Sequence, residues 1–188
     1  MLILKNSFIL LYLTFALLMP HTSQASIAAD NFKQRIKNDR RDIDAYVSLI
    51  KNQSNGTKFD MAITYQKKAL RYARQNRDIL TLRTLGIEAN AGLGKLDKAE
   101  AEYKRAMRIK GAKDDAELHM AMSHAYLKFK NVDQAKIAVA EALIANSQSS
   151  KALTLLSRIL TIEEAILTTR NNVAFEATVS RELVAGLL

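Results

Sequence analysis

Leu82-Arg-Thr-Leu85-Gly86 opens the stretch of sequence that decides the fold, and Lys95-Leu-Asp97-Lys-Ala99 continues it toward Ala106. The first part belongs to an amphipathic stretch, so it predicts a helix with one buried face. Ala99 and Ala106 lie seven residues, or about two helical turns, apart and face the same neighbour. Asp97 stands where a negative charge complements the positive end of a helix dipole. The stretch therefore predicts two closely packed helices joined by a short turn.

The second half of this pattern occurs three times along the chain. In each copy an apolar residue precedes Asp, Ala follows two residues later, and another Ala follows seven residues after that. The copies are Lys58-Phe-Asp60-Met-Ala62 to Ala69, Lys95-Leu-Asp97-Lys-Ala99 to Ala106, and Asn131-Val-Asp133-Gln-Ala135 to Ala142. A helix–turn–helix unit that recurs at intervals of 36 or 37 residues predicts an all-α solenoid.

These residues resemble the signature of the tetratricopeptide repeat. The matching positions are Leu82, Leu85, Gly86, Gly94, Tyr103, the six repeated alanines, Ala125, Tyr126, Tyr46 and Leu49. The resemblance implies a tetratricopeptide-like α-solenoid of about three helix pairs, in repeats at about 42–76, 79–111 and 115–147. The family period is about 34 residues, so the links are longer here, and the proline expected after each second helix is missing. An unrelated helical bundle with coincidental alanines is the alternative.

The sequence predicts capping helices at both ends of the repeats. Asp30 is expected to cap a short helix that carries Phe32 and Ile36. A partial fourth unit and capping helices are predicted over 150–188. A last helix is indicated by apolar residues that recur every four positions, at Phe175, Val179 and Leu183. The apolar tail, 183–188, is expected either to fold back on the solenoid or to form part of an interface.

The first residues have the pattern of an export signal. Lys5 precedes the apolar run 8–19, and small residues precede a cleavage site after Ala25. A membrane span needs about 20 apolar residues, so residues 1–25 are predicted to be a cleavable signal peptide, with an uncleaved anchor as the alternative. The mature chain would then begin near Ser26. Because the chain has no cysteine, export favours the periplasm or cell envelope of a bacterium over a eukaryotic secretory route.

The composition excludes several kinds of chemistry. Without cysteine there are no disulfides, thiolate metal sites or cysteine nucleophiles. Of the three histidines, His119 and His124 lie five residues apart on one predicted helix, which rotates them by about 140° from each other. Gly92-Leu-Gly94 lacks the phosphate-binding glycine pattern, and no nucleophile lies beside a base in the pattern of a catalytic site. We therefore predict no enzymatic activity, no cofactor and no metal site.

The chain is basic, with a formal net charge of +9 at pH 7. Basic residues cluster on the second helices of the first two repeats, where charge is usually solvated. They are Lys67, Lys68, Arg71, Arg74, Lys104, Arg105, Arg108 and Lys110. Nucleic acid is not an expected partner, because the protein is predicted to be exported and aromatic residues are only 6% of the chain. The functional interpretation is an acidic protein partner or peripheral contact with an anionic envelope surface.

The resemblance also implies where a partner would bind. In tetratricopeptide proteins the first helices of successive pairs line a concave groove that holds a peptide. Mapping that pattern onto this sequence gives the candidate groove residues Lys51, Arg83, His124, Lys128 and Arg158. The two-carboxylate clamp of the family is not matched, because the corresponding positions hold Val47, Lys51, Arg83, Ile87, Met120 and His124. The expected partner is therefore a protein with an acidic or extended segment, and a receptor for chaperone tails is not supported.

These inferences predict a non-enzymatic periplasmic scaffold for protein–protein interaction. The chain looks like the tetratricopeptide proteins that accompany pilus and secretion machines, notably the assembly factor of tight-adherence (Flp/Tad-type) pili. Many such factors carry a lipid-anchoring cysteine, which this chain lacks. A general periplasmic chaperone or cell-wall-complex adaptor is the alternative. A remote alternative is a hydrolase that acts on envelope polymer through an unrecognised site.

Overall fold

The computed structural model describes the backbone of residues 22–185 and the side chains of residues 26–171 and 173. Regular structure in that range is helical throughout. The helices are α1 (Thr22–Asn38), α2 (Ile43–Asn55), α3 (Phe59–Leu70), α4 (Asn76–Gly92), α5 (Leu96–Ala106), α6 (Ala116–Lys128), α7 (Val132–Ala145) and α8 (Ser150–Ala185). A 3₁₀ turn, Ala112–Asp114, precedes α6. The predicted all-α solenoid of helix pairs is confirmed.

Three helix pairs form the centre of the molecule: α2 with α3, α4 with α5, and α6 with α7. Each pair packs against the next one along the chain, and α1 and α8 pack at the two ends. Side-chain oxygens of Asp42, Asp115 and Asn131 accept the backbone N–H three residues on, and so cap α2, α6 and α7. Short capped helices joined by tight turns thus give an array in which each helix packs chiefly on its neighbours in the sequence.

The turns inside the three pairs share one backbone conformation. Thr57, Gly94 and Lys130 each adopt the left-handed region, with φ of 60°, 74° and 59°. In each turn the next amide donates to a carbonyl five residues earlier, at 2.8–3.0 Å. This bond satisfies one of the free carbonyls at the end of the first helix. The repeat is therefore preserved in the turns as well as in the helices.

Lys130→Gly is expected to raise the free energy of unfolding by about 1 kcal/mol, because a side chain in the left-handed region costs about 1–2 kcal/mol. Gly94→Ala should lower it by a similar amount, since nothing lies within 4 Å of an added Cβ and only the conformation is strained. Lys104→Gly, at an exposed position inside α5, is the control and should be destabilising. Urea denaturation of the three variants measures these differences in the free energy of unfolding. A destabilising effect of Lys130→Gly would contradict the left-handed conformation of Lys130.

The repeated alanines lie at the contacts between helices. All six have no exposed surface, which brings the second helix of each pair close to its neighbours. Gly86 serves the same purpose on α4, because an added Cβ would lie 2.6 Å from Nε2 of Gln66 on α3. Larger side chains fill the space between the pairs in three clusters that follow one another along the chain, and their best-buried members include Ile50, Leu82, Ile87, Leu118, Met122, Val139 and Ile159.

Both ends differ from the sequence-based expectation. Helix α1 begins at Thr22, so Asp30 lies inside it and pairs with Lys33 at 2.9 Å where an N-cap was expected. The helix starts earlier because small, helix-compatible residues precede Asp30, and one of them, Ala29, is buried. Of the predicted signal peptide, residues 1–21 lie outside the described residues and residues 22–25 form the start of α1.

The C-terminal region is one helix of 36 residues where a partial fourth unit and capping helices were expected. No proline or glycine interrupts the sequence between Ser150 and Ala185, so nothing in it forces a turn. The side chains of the apolar tail, 183–188, lie outside the described residues. Within residues 22–185 no helix combines the length and the hydropathy needed to cross a membrane.

Candidate functional site

A groove lies where α4, α6 and α8 run side by side. Its cavity has a volume of about 410 Å³. The lining residues are Glu88 of α4, Glu117, Met120, Ala121 and His124 of α6, and Ser150, Lys151, Thr154, Leu155 and Arg158 of α8. We call this surface the first-helix groove, because each of its helices is the first of a pair or, for α8, occupies the corresponding place after the last pair.

Three of the five predicted groove residues share one position in the repeat. Lys51, His124 and Arg158 correspond to one another, and Glu88 completes the row, at successive intervals of 37, 36 and 34 residues. His124 and Arg158 line the first-helix groove directly. Lys51 is close enough to Glu88 to stabilise its carboxylate. The row therefore presents a cation, an anion, a histidine and a second cation in order along the solenoid.

The other two predicted residues do not join this row. Arg83 stands five residues before Glu88 and therefore lies about 140° away from it around α4. It points toward α5, where its Nη1 lies 2.6 Å from Oε2 of Glu102. Lys128 donates from Nζ to the carbonyl of Gly92 at 3.1 Å. Lys128 thus supplies a hydrogen-bond donor to a free carbonyl at the C-terminal end of α4, where the helix dipole favours a positive charge. The two cations hold helices together in this structure.

Sequence reasoning missed the acidic residues of the groove. Glu88 and Glu117 both line it, and Glu117 pairs with Lys151 at 3.1 Å in an exposed ion pair. A signal for Glu88 was present, because it lies 37 residues after Lys51 and 36 before His124. The groove is therefore mixed in charge, whereas the residues predicted from the sequence are four cations and a histidine.

Partial loss of hydration in the groove shifts the pKa of two of its residues, Glu88 and His124, although both side chains keep exposed surface. The surrounding protein raises the pKa of the Glu88 carboxyl above its usual value, with Glu117 adding to the shift and Lys51 opposing it. Burial also lowers the pKa of His124 below 6.5, helped by the positive charge of Arg158 and opposed by Glu117. At neutral pH the imidazole is therefore uncharged and able to donate one hydrogen bond and accept another.

We expect His124 to titrate below pH 6.5 in an NMR titration of the folded protein. Arg158→Ala should raise that pKa, yet leave it below 6.5, because burial is the larger cause. Since the folded state resists protonation here, the protein should lose stability as the pH falls below 6.5. Above pH 6.5 His124 no longer makes the stability depend on pH. The resonance is assigned with His124→Gln, and a midpoint above 6.5 would contradict the described surroundings.

The second helices carry a separate polar network beneath their basic surface. Glu102 of α5 is the centre of it, and it accepts from Gln66 at 3.1 Å, from Arg83 at 2.6 Å and from Arg105 at 2.7 Å. The predicted basic clusters include Lys67 and Lys68 in the last turn of α3, and α5 ends in the same way with Lys104 and Arg105. Cations at these ends complement the helix dipoles, which gives the clusters a structural role.

His119 is buried between helices, away from the groove. Its Nδ1 lies 2.7 Å from the hydroxyl of Tyr103, and its Nε2 lies 3.2 Å from the carbonyl of Lys113. Burial raises the pKa of Tyr103 to about 12, so the hydroxyl keeps its proton for this bond. Among the side chains of residues 26–171 and 173, no three histidines, aspartates or glutamates come together in a way that could hold a metal ion.

Solved structures share this arrangement of helices. A thermophilic tetratricopeptide protein of Thermus thermophilus superposes with a TM-score of 0.64 at 22% identity, over 74% of this chain and 75% of that one. The fold is tetratricopeptide-like. The first tetratricopeptide domain of the human RPAP3 protein gives a TM-score of 0.56 at 18% identity, over 69% of this chain and 95% of that domain. The MamA protein gives 0.52 at 16% identity, over 73% of each chain.

No protein-family model and no curated protein matches the sequence. At the identities of the solved structures the likeness extends to the tetratricopeptide-like fold alone. The residues of the first-helix groove must therefore be argued from their own chemistry.

Proposed function

We propose that this protein is a non-enzymatic scaffold that holds an extended segment of a partner protein in the first-helix groove. The observation that carries the proposal is the row Lys51, Glu88, His124 and Arg158. These residues occupy one repeat position on four successive first helices. Three of these side chains line the groove and Lys51 lies near Glu88, so the row can bind the backbone and side chains of an extended peptide at successive points.

The chemistry of the row selects a partner segment of mixed charge. Arg158 and Lys151 are exposed in the groove and favour a carboxylate. Glu88 and Glu117 favour a lysine or arginine of the same segment. A purely acidic segment, one of the partners expected from the sequence, would be repelled by Glu88 and Glu117. Opposite charges set at a fixed separation contribute more to specificity than to affinity, so the proposed partner carries both signs within a short stretch.

The proposed location is the bacterial periplasm, with a role in assembly of a pilus, secretion or other envelope complex. The support is the pattern of residues 1–25, the absence of cysteine from the sequence, and the resemblance to tetratricopeptide assembly factors. A general periplasmic chaperone is the second candidate. It is favoured by the modest size of the groove and by its exposed charged residues, which would allow several segments to bind.

Photo-crosslinking in living cells tests the proposal. A photoreactive residue at Thr154, in the groove, should give a discrete adduct with a partner in the periplasmic fraction. The same residue at Lys104, exposed on α5, is the control and should give little adduct. A single partner encoded with pilus or secretion genes supports the scaffold, whereas many unrelated partners support the chaperone. Adducts from Lys104 alone would reject the groove.

Charge reversal provides the matched comparison. Lys51→Glu with Arg158→Glu should weaken capture by about 2- to 30-fold, because exposed pairs contribute about 0.2–1 kcal/mol each. Lys67→Glu with Lys68→Glu makes the same change in net charge on α3, and it should leave capture nearly unchanged. Both variants are compared at one ionic strength, since salt screens exposed charges. A larger effect of the α3 variant would show that the partner binds the second helices.

A further inference from the structure

Helix α8 begins as the first helix of a fourth pair. A shift of 34 residues places Leu118, Ala121 and Ala125 of α6 on Ala152, Leu155 and Ile159 of α8. All six are buried, and the three on α8 pack in one cluster with Val139 of α7. The start of α8 therefore joins the solenoid in the same way as the first helices before it.

The face that a first helix turns toward its own second helix is only partly covered on α8, where Leu156 packs in the cluster with α7. On α6 this face carries Met122, which is fully buried, and Ser123, whose hydroxyl donates to the carbonyl of Ala135 on α7 at 2.8 Å. The same shift of 34 leads to Leu156 and Ser157 on α8, and there Ser157 is exposed. Helix α8 continues unbroken past the position at which α6 ends and the chain turns back, so no second helix lies on this face within the described residues.

Three leucines extend this partly covered face along α8. Leu153, Leu160 and Leu167 lie seven residues apart and are 50%, 48% and 52% exposed. A seven-residue repeat keeps apolar side chains on one narrow line of a helix, which is the line a second, slightly coiled helix covers. We call these three residues the leucine row. Single exposed leucines are ordinary, but three in one register mark a line along which another helix can pack.

The described side chains of α8 beyond Ile159 are mostly exposed. Helix α8 has 36 residues and is about 54 Å long, whereas α6 and α7 have 13 and 14 residues and are about 20 Å long. Ile159 is the last residue of α8 in the apolar cluster that α8 shares with α7. Beyond it Ile166 and Val173 are exposed. A helix of this kind is marginal in water unless it packs on something.

We propose that two copies of this chain pair through α8, antiparallel and about a two-fold axis near Leu167. The C-terminal half of each α8 then takes the place of the missing second helix on the other copy. Antiparallel is the direction in which α7 runs against α6, because a short turn joins them. The axis sets residues 153–160 of one copy against residues 174–181 of the other. The helix of each copy then lies along the leucine row of its partner.

The charges beside the leucine row fit this arrangement. Glu163 and Arg170 lie on the same side of the row, about 60° and 80° from it in an ideal helix. A two-fold axis at Leu167 brings Glu163 of one copy almost opposite Arg170 of the second copy, and the reverse pair forms at the same time. Glu163 already accepts from Lys136 of α7 at 2.8 Å, so its carboxylate is held beside the row. The proposal does not depend on the function proposed for the groove.

Sedimentation equilibrium of the purified full chain tests the pairing. The chain should be a dimer, and Leu160→Glu with Leu167→Glu should raise its dissociation constant by more than about 100-fold, because four buried leucines are replaced by charges. Thr161→Glu with Thr168→Glu adds the same charge one residue further along the same exposed helix. That control should remain dimeric. A wild-type chain that stays monomeric, with α8 folded back or awaiting another protein, would overturn the proposal.

Cysteine cross-linking tests the direction of the pairing, since the chain has no cysteine of its own. Leu167→Cys lies near the proposed axis and should form a disulfide-linked dimer on oxidation. Leu153→Cys should not, because the two positions would lie about 42 Å apart along antiparallel helices. Equal cross-linking at both positions would indicate parallel helices and would overturn the proposed arrangement. Failure at Leu167 would overturn it as well.

Discussion

Ile50→Ala should lower the free energy of unfolding by about 2–5 kcal/mol, the largest effect expected from a single change in this chain. Ile50 is fully buried in the cluster that joins the first pair of helices to the second, together with Tyr46, Leu82 and Leu85. The substitution removes three carbon atoms from a closely packed site. The cost is the lost burial of those atoms plus the cavity that remains where the neighbours cannot collapse.

Ile144→Ala is the matched control, because it makes the same chemical change at a residue of α7 that is 78% exposed. Its effect should stay within about 0.5 kcal/mol. Urea denaturation followed by circular dichroism at 222 nm measures both variants on the same wild-type baseline. Similar losses at the two positions would mean that Ile50 does not lie in the core, and the order of the first two pairs would need revision.

Ala106→Leu should destabilise the fold by about 1–3 kcal/mol through overpacking. Ala106 has no exposed surface and lies in one cluster with Leu118 and Met122 of the following pair. Three additional carbon atoms there would have to push α5 away from its neighbours. A lower melting temperature and a lower midpoint in urea are the expected observations, with the far-ultraviolet spectrum of a helical protein retained below the transition.

The control for this change is Lys104→Leu, at an exposed position two residues earlier on α5. It adds apolar surface without filling any interior space, so stability should change little. Arg105 is less suitable as a control, because its guanidinium pairs with Glu102 at 2.7 Å and a substitution would remove that contact. Equal destabilisation by Ala106→Leu and Lys104→Leu would contradict the repeat register derived from the alanines.

The repeated part of the fold was predictable because the physical requirement is local and recurs. Ala62, Ala99 and Ala135 must be small for two helices to approach, and that requirement appears three times at nearly constant spacing. The ends of the array carry no such repetition. Whether a helix starts at Thr22 or at Asp30 depends on packing of residues such as Ala29 against later helices. Nothing in the local sequence expresses that contact.

The groove was predictable in part, for a related reason. Lys51, His124 and Arg158 were found because first helices repeat, and Glu88 follows from the same spacing. Arg83 was also predicted for the groove, and its guanidinium pairs with Glu102 of α5, nineteen residues later. A contact between two particular side chains on different helices does not recur from repeat to repeat in the sequence. It therefore becomes visible only when the helices are placed in space.

The succession of three separate apolar clusters along the chain has a consequence for how the molecule folds. Every cluster joins helices that are neighbours in the sequence, so the loops that must close are short and cost little entropy. Such topologies fold in microseconds to milliseconds, and folding can start in any pair and spread to the next. Amide hydrogen exchange should accordingly be slowest in α4 and α6, which pack between a preceding pair and a following first helix, and fastest in α1. A chain of this kind needs no distant partner strand before its first segment becomes stable, and it can acquire structure one hairpin at a time.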